Sequence, residues 1–227
     1  MKKKLQQVQS RIDNAAIKSG RNQNKITIIA VTKSFPSGIW DFALQNNLPI
    51  IGESRIQETE IKNKEFNKRK KIELHFIGHL QTNKARKAIQ LFDVIQTIDS
   101  LKLAQRLNII SQEEEKTQNI FLQTNICADP KKHGFSEKET LLAAKEIVDM
   151  KGLKLIGIMT VPPNNISTKT LHSIYNKTRK IRDTVYKSIE TSCKNLSMGM
   201  SNDYETAISE GATHIRLGTA LFGTRPK

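Results

Sequence analysis

The chain is poor in cysteine and in long apolar runs, and each scarcity excludes a class of protein. Only two of its 227 residues are cysteines, Cys127 and Cys193. They lie far apart and lack partner spacing, which argues against a disulfide framework or a zinc site. No apolar stretch reaches the roughly 20 residues of a membrane-spanning helix, and the charged N-terminus lacks the apolar segment of a signal peptide. We therefore expect a cytoplasmic protein with no membrane partner.

Aromatic residues are also scarce, and this weakens the most direct interpretation of the charge. The formal net charge is +15, and a basic face could bind a phosphate backbone. Lysine is spread along the whole chain, however, and the aromatic residues that would stack on single-stranded bases make up only 5%. The densest basic run, 62–71, is interpreted as the solvated end of a helix, where cations are stabilised. We expect no nucleic-acid partner.

Short apolar segments alternate with helix-like segments eight times along the chain. The first, Ile26–Lys33, is rich in β-branched residues and ends on a lysine. Such strands, when separated by helices, pair in parallel through right-handed crossovers, and eight of these units close into a (β/α)8 barrel. The other predicted strands are 49–53, 74–78, 94–98, 119–126, 155–159, 195–198 and 214–217. The sequence predicts a single α/β domain over 1–227, of the TIM-barrel type, with an N-terminal helix at about 3–20.

Three serines are predicted to begin helices of this barrel. Ser37 precedes an apolar helical segment, and Ser100, or Asp99 before it, precedes another. Ser136 and Glu139 have the Ser-x-x-Glu spacing of a capping box. These positions locate the helices that connect the strands.

The carboxyl ends of the strands define the candidate site, because barrels of this type carry their functional groups there. Lys33 ends the first strand. Two small turns, 198–203 and 216–220, follow strands seven and eight, where barrels commonly bind a phosphate through backbone N–H groups. Ser201 and Thr219 add hydroxyl groups to these turns. A phosphate site across the mouth from a lysine suits a Schiff base with a phosphorylated aldehyde.

Five longer motifs make the sequence resemble a known family. In chain order they are AVTK at 30–33, GESRIQE at 52–58, HFIGHLQTNK at 75–84, LSMGMSND at 196–203 and IRLGTALFG at 215–223. Together they resemble the YggS-like pyridoxal phosphate homeostasis proteins over nearly the whole chain. The resemblance implies the barrel of the alanine racemase N-terminal domain, which is PLP fold type III without its C-terminal β-domain. It also implies pyridoxal 5′-phosphate (PLP) as the cofactor.

The resemblance assigns roles to individual residues. Lys33 would carry PLP as an internal aldimine, and Arg216 would face the pyridine nitrogen. An arginine only donates hydrogen bonds, so it would leave that nitrogen unprotonated and weaken the ring as an electron sink. The residues that resemble the family's phosphate cradle are Met200, through its backbone, Ser201, Gly218 and Thr219.

Three further positions carry weaker expectations. Ser54 stands where the family usually has an asparagine that faces the cofactor ring. Lys132 resembles a second, weaker contact for B6 vitamers, and an exposed basic loop is the alternative. His75 and His79 have a spacing that could suggest a metal pair, but they flank a strand end and lack an evident third ligand. We expect no metal.

The residues favour a carrier of PLP over an enzyme. Racemase relatives use a second base, a tyrosine supplied by an additional β-domain, and this chain ends soon after the strand-eight motif. Its own tyrosines, Tyr175, Tyr186 and Tyr204, are predicted to lie in helices away from the mouth. We therefore expect a monomeric protein without catalytic residues that holds PLP on Lys33 and delivers it to apo-enzymes. The alternative is a PLP-dependent amino-acid racemase or lyase with slow turnover.

Overall fold

The eight apolar segments form eight parallel strands that pair in chain order and close into a barrel, as predicted. The computed structural model describes residues 2–224. The strands are β1 Thr27–Val31, β2 Ile50–Glu53, β3 Glu73–Phe76, β4 Val94–Ile98, β5 Gln118–Thr124, β6 Leu153–Thr160, β7 Asn195–Met200 and β8 His214–Leu217. Closure occurs between β1 and β8, where Ile28 lies opposite Ile215.

Helices connect the strands and surround the barrel. Within residues 2–224 they are α1 Lys2–Lys18, α2 Gly38–Gln45, α3 Ile56–Glu65, α4 Ala85–Leu91, α5 Leu101–Glu113, α6 Glu137–Val148, α7 Thr168–Ser188, α8 Tyr204–Ser209 and α9 Thr219–Phe222. The first of them confirms the predicted N-terminal helix and packs against α8 and α9. None of these helices combines the length and apolarity needed to cross a lipid bilayer.

Two of the three predicted helix caps are confirmed. The Ser100 hydroxyl accepts a hydrogen bond from the Leu103 N–H, and Ser136 forms the reciprocal capping box with Glu139. Ser37 occupies the predicted N-cap position of α2, but its side chain makes no capping hydrogen bond. A capping residue has extended dihedral angles, whereas Ser37 is already helical at φ −54° and ψ −36°.

Candidate cofactor-binding site

A cavity of about 870 Å³ opens at the carboxyl ends of the strands. Six of the seven cofactor-binding residues predicted from the sequence line it: Lys33, Met200, Ser201, Arg216, Gly218 and Thr219. Ser54 is not among the described residues that line it. The Ser54 backbone instead packs on Gly78, where a Cβ atom would overlap the Ser54 carbonyl oxygen. The structure therefore brings the lysine and the predicted phosphate turns together and leaves Ser54 outside the wall.

Lys33 lies two residues beyond the end of β1, although the strand was predicted to reach it. The Thr32 N–H still pairs with the Gly52 carbonyl of β2 at 3.1 Å. Ser34 has a positive φ of 65°, so the chain turns sharply after the lysine. The Ser34 N–H donates to Glu58 Oε1 at 2.5 Å. The backbone is therefore fixed on both sides of Lys33.

A buried ion-pair network holds the strand end that carries Lys33. Lys62 of α3 is only 3% exposed, and its Nζ donates to Glu53 Oε1 at 2.7 Å, to Glu58 Oε1 at 2.7 Å and to the Thr32 carbonyl at 2.8 Å. Thr32 also donates its hydroxyl to Glu53 Oε1 at 2.6 Å. An ammonium has three N–H donors, and each of them finds an acceptor here. None of these network residues is among those that line the cavity; the network supports Lys33 from behind the lining and is called the lysine wall below.

The buried position of Lys62 corrects the interpretation of the basic run 62–71 as a solvated helix end. Helix α3 buries Ile56, Thr59 and Lys62, which recur every three residues and therefore share one face. That periodicity is the sequence signal that could have located Lys62. The indole of Trp40 completes the network by donating to the Thr32 hydroxyl at 3.1 Å.

The two carboxylates of the lysine wall respond differently to burial. Burial raises the pKa of Glu53, and the charge of Lys62 opposes this rise. Burial also acts to raise the pKa of Glu58, but the hydrogen bonds from Lys62 and from the Ser34 N–H outweigh it, so that this pKa is lowered. Glu58 is thus the carboxylate whose negative charge the network stabilises.

The turns after β7 and β8 form another part of the cavity lining, called the loop wall below, and the turn after β8 adjoins the end of β1 because these two strands pair. Gly199 has a φ of +91°, and a Cβ there would lie 2.5 Å from the Ala207 Cβ. The Met200 N–H donates to Asp203 Oδ1 at 2.5 Å, so the predicted role of this N–H is already occupied within the turn. The Ser201 hydroxyl accepts from the Ala220 N–H at 3.2 Å and links the two turns.

The loop wall fits a phosphate group by its chemistry. The Ser201 and Thr219 hydroxyls line the cavity, and Thr219 begins α9, whose first N–H groups have no partner within the helix. Gly218 sits between them and presents no side chain. A small concave surface of O–H and N–H donors is what a bound phosphate requires.

Arg216 lies on the cavity floor at the end of a hydrogen-bond chain that crosses the barrel interior. Its guanidinium donates to the carbonyl of the last residue of β6 at 2.8 Å and to Ser197 Oγ at 2.7 Å. Ser197 donates to Gln96 Oε1 at 2.7 Å, and Gln96 donates to His75 Nδ1 at 2.7 Å. His75 then donates from Nε2 to Glu73 Oε1 at 2.5 Å. Along this chain, each hydrogen bond is donated in the direction that leads from Arg216 to the Glu73 carboxylate.

The pKa values of the two charged ends of this chain, Arg216 and Glu73, are shifted by different causes. Burial lowers the pKa of Arg216, while nearby Tyr175 and Asp203 oppose the shift. The hydrogen bond from His75 lowers the pKa of Glu73. A guanidinium stays protonated in proteins, so the chain connects a cation at the mouth to an anion at the opposite end.

Tyr175 is buried near two charged residues of the site. Helix α7 buries its ring, and burial together with the charge of Asp203 raises the pKa of its hydroxyl, whereas Arg216 opposes the rise. Tyr175 is not among the described residues that line the cavity, so its distance from the mouth stays a prediction. Ile174, Thr178 and Ile181 are buried on the same helix face, and this periodicity could have indicated the inward direction.

Lys132 forms hydrogen bonds to a loop that lines the cavity. Its Nζ donates to the Val161 carbonyl at 3.2 Å and to the Pro162 carbonyl, and both of these residues line the cavity. Partial burial lowers the pKa of the Lys132 amine. The amine is thus engaged between two loops rather than held in an exposed basic loop, and its role as a second vitamer contact stays a prediction.

Comparison with known proteins identifies the family. Residues 4–226 match the family model of the alanine racemase N-terminal domain. The chain is 31% identical over 222 residues to the pyridoxal phosphate homeostasis protein of Aquifex aeolicus, covering 98% of this chain and 97% of that protein. It is 36% identical over 209 residues to the protein of the same name from Synechocystis sp., with coverages of 88% and 92%.

A solved structure shares both the fold and the sequence similarity. PipY of Synechococcus elongatus, with PLP bound, matches with a TM-score of 0.83 and 28% identity. The match covers 94% of this chain and 100% of that chain. Because relatives that share one name match nearly end to end at more than 30% identity, the chain belongs to the pyridoxal phosphate homeostasis protein family, which has the alanine racemase N-terminal domain fold.

Proposed function

We propose that this protein binds PLP in the cavity at the barrel mouth, holds it as a Schiff base on Lys33, and delivers it to apo-enzymes in the cytoplasm. PLP supplies an aldehyde that condenses with a primary amine and a phosphate that needs hydrogen-bond donors. The observation that carries the proposal is one cavity lined both by Lys33 and by Ser201 and Thr219. The names of the relatives support the role in homeostasis.

The residues around the cavity favour holding the cofactor over transforming a substrate. The lysine wall fixes the backbone on both sides of Lys33, which limits the directions in which its amine can approach an aldehyde. Arg216 presents only donors to the cavity, and donors at the pyridine nitrogen leave the ring a weak electron sink. Binding is therefore supported by several groups, and carbanion chemistry by few.

The attachment site can be tested directly. Purified protein is mixed with PLP, reduced with borohydride and mapped by mass spectrometry of its peptides. We expect the adduct on Lys33 and loss of the Schiff-base absorbance in Lys33→Ala. Lys132→Ala is the matched control, because it removes another amine beside the cavity and should keep the absorbance. An adduct on a different lysine would show that the assignment is wrong.

Delivery needs a separate experiment. Loaded protein is mixed with an apo-enzyme that requires PLP, in the presence of a phosphatase that destroys the free cofactor. We expect recovery of the enzyme's activity to exceed that obtained with the same amount of free PLP. Equal recovery from both sources would contradict delivery by this protein. Light scattering at the mass of one chain would agree with the proposed monomer.

Turnover distinguishes the carrier from the enzyme alternative. Loaded protein is incubated with a panel of L-amino acids, and racemisation and keto-acid release are followed by chiral chromatography. We expect no sustained turnover. Stereospecific product formation that is abolished by Lys33→Ala would overturn the carrier proposal in favour of a racemase or lyase.

A further inference from the structure

The barrel mouth carries a second polar cluster on the strands across from the loop wall. His79 follows β3, Asp99 follows β4 and His133 lies in the loop after β5. Each offers one ligand atom, and these three atoms lie within 4.8 Å of one another. His79 Nδ1 is 3.1 Å from Asp99 Oδ2, and His133 Nδ1 is 3.7 Å from the same oxygen.

We propose that His79, Asp99 and His133 form a binding site for a divalent transition-metal ion, with Zn²⁺ as the reference ion. Two imidazole nitrogens and one carboxylate oxygen form a donor set that suits such transition-metal ions, whereas Mg²⁺ and Ca²⁺ prefer oxygen ligands alone. Ligands at about 2.1 Å in a tetrahedral site lie about 3.4 Å apart, which is close to the separations between the Asp99 oxygen and each imidazole. With three protein ligands, the ion keeps a position open for water or another ligand.

The geometry indicates two movable imidazoles around one fixed carboxylate. The rings of His79 and His133 are stacked, with centroids 3.8 Å apart and planes at 11°. One ion cannot lie in the planes of two parallel rings, so coordination requires the rings to rotate about their Cβ–Cγ bonds. Both side chains have room for this, since they are 46% and 58% exposed, whereas Asp99 is only 8% exposed.

A structural hydrogen bond alone does not account for the cluster. The bond between His79 and Asp99 needs a single histidine, yet the Nδ1 of a second imidazole lies 3.7 Å from the same carboxylate oxygen. The two rings are stacked at 3.8 Å beside one carboxylate, which places three possible metal ligands together.

Two of the other three histidines, His75 and His172, are placed differently. His75 is buried within the Arg216 chain, so the pair of His75 and His79 considered from the sequence does not form. His172 pairs with Glu210 at 2.9 Å, and no third ligand joins it among the described residues.

The test uses untagged protein without PLP, stripped with a chelator and dialysed. It is titrated with Co²⁺, followed by visible absorbance, and with Zn²⁺, followed by calorimetry. We expect one equivalent of Co²⁺ to give a visible band that Zn²⁺ abolishes. His133→Ala and Asp99→Asn should each weaken Zn²⁺ binding by about 100-fold or more. PLP absorbance, measured separately, should stay unchanged, so this test does not depend on the proposed function.

Two controls make the result interpretable. His172→Ala removes an exposed histidine that has a carboxylate partner, and Cys127→Ser removes the exposed thiol; both should bind Zn²⁺ like the parent protein. Thermal unfolding shows whether each variant is folded. If the parent protein binds Zn²⁺ no more tightly than the double variant His79→Ala/His133→Ala, the metal site does not exist.

Discussion

The two walls of the cofactor cavity fix their functional groups in different ways. On the lysine wall, charged side chains from separate elements meet, and Lys62 of α3 bonds to Thr32 just after β1, to Glu53 of β2 and to Glu58 of its own helix. On the loop wall, most of the bonds are local, as between Met200 and Asp203, and the conformation depends on a left-handed glycine. One wall is therefore specified by tertiary contacts and the other by backbone turns.

The difference corresponds to what each wall is proposed to hold. A covalent bond to an aldehyde requires one amine in one direction, and a buried network provides that restraint for Lys33. A phosphate accepts many hydrogen bonds from several directions, so a surface of turn N–H and O–H groups is sufficient. A single substitution in the lysine wall should therefore have a large effect, and a single substitution in the loop wall a smaller one.

The largest effect is expected from Lys62→Met. Removing one partner leaves Glu53 and Glu58 without their ammonium, and breaking a buried ion pair in this way costs about 3–5 kcal/mol in the free energy of unfolding. Urea denaturation measures this cost. Lys87→Met is the matched control, because it breaks an exposed pair with Glu60 and should cost about 1 kcal/mol or less.

The same variant tests whether the network orients Lys33. We expect Lys62→Met to slow formation of the Schiff-base absorbance with PLP under conditions in which the protein is folded, whereas Lys87→Met should not. An unchanged rate in Lys62→Met would mean that the lysine wall contributes to stability only.

Gly199→Ala should have the next largest effect. A side chain at φ +91° is strained, and its Cβ would lie 2.5 Å from Ala207, so we expect a loss of about 1–3 kcal/mol in unfolding free energy. The turn should also bind pyridoxine 5′-phosphate less tightly, and this vitamer tests the loop wall alone because it lacks the aldehyde. Gly20→Ala, at φ +64° with nothing within 4 Å, controls for strain without a clash and should leave that affinity unchanged.

Ser201→Ala is expected to have a smaller effect. It removes a hydroxyl that lines the cavity and accepts from the Ala220 N–H, and one hydrogen bond of this kind contributes about 1 kcal/mol. Calorimetry should show weaker binding of pyridoxine 5′-phosphate, with the Schiff base of PLP still formed. Ser209→Ala, which alters a serine on α8 bonded to Thr206, should bind like the parent protein. Equal affinities in both variants would remove Ser201 from the phosphate site.

The smallest effect is expected from pH. The pKa of Glu58 is lowered in the folded state, so its contribution to stability is present above its unfolded pKa and is lost as pH falls towards the folded value. The raised pKa of Glu53 acts in the opposite direction, and Glu58→Gln therefore isolates one group. Chemical denaturation between pH 6 and pH 3 should show a shallower loss of stability in Glu58→Gln. A parallel loss in both proteins would exclude Glu58 as a contributor.

Much of the fold was predictable because it depends on local patterns. Each strand is a short apolar run, and the serine caps at Ser100 and Ser136 act within one turn of a helix. Ser37 begins its helix as predicted but makes no capping hydrogen bond, because capping depends on the dihedral angles of the residue as well as on its type. The order and closure of the strands then follow from parallel pairing.

The site was predictable only in part, for a physical reason. Lys33 and the two turns occupy fixed positions in the barrel, whereas Lys62 appeared to be one cation among many in a basic run. Its role arises because α3 packs one face against β1 and β2, which requires tertiary contacts. His79, Asp99 and His133 come from three separate loops, and no spacing in the sequence connects them.

The chain from Arg216 to Glu73 has a consequence for the exchange of cofactor. Each member is fixed by the next, so the orientation of the guanidinium is set when the protein folds, and its conformational entropy is lost at that stage. A ligand that enters the cavity then has no cation to immobilise, and a ligand that leaves releases none. Such preorganisation lowers the entropy cost of binding, so the arginine contributes to affinity without having to be ordered by the ligand.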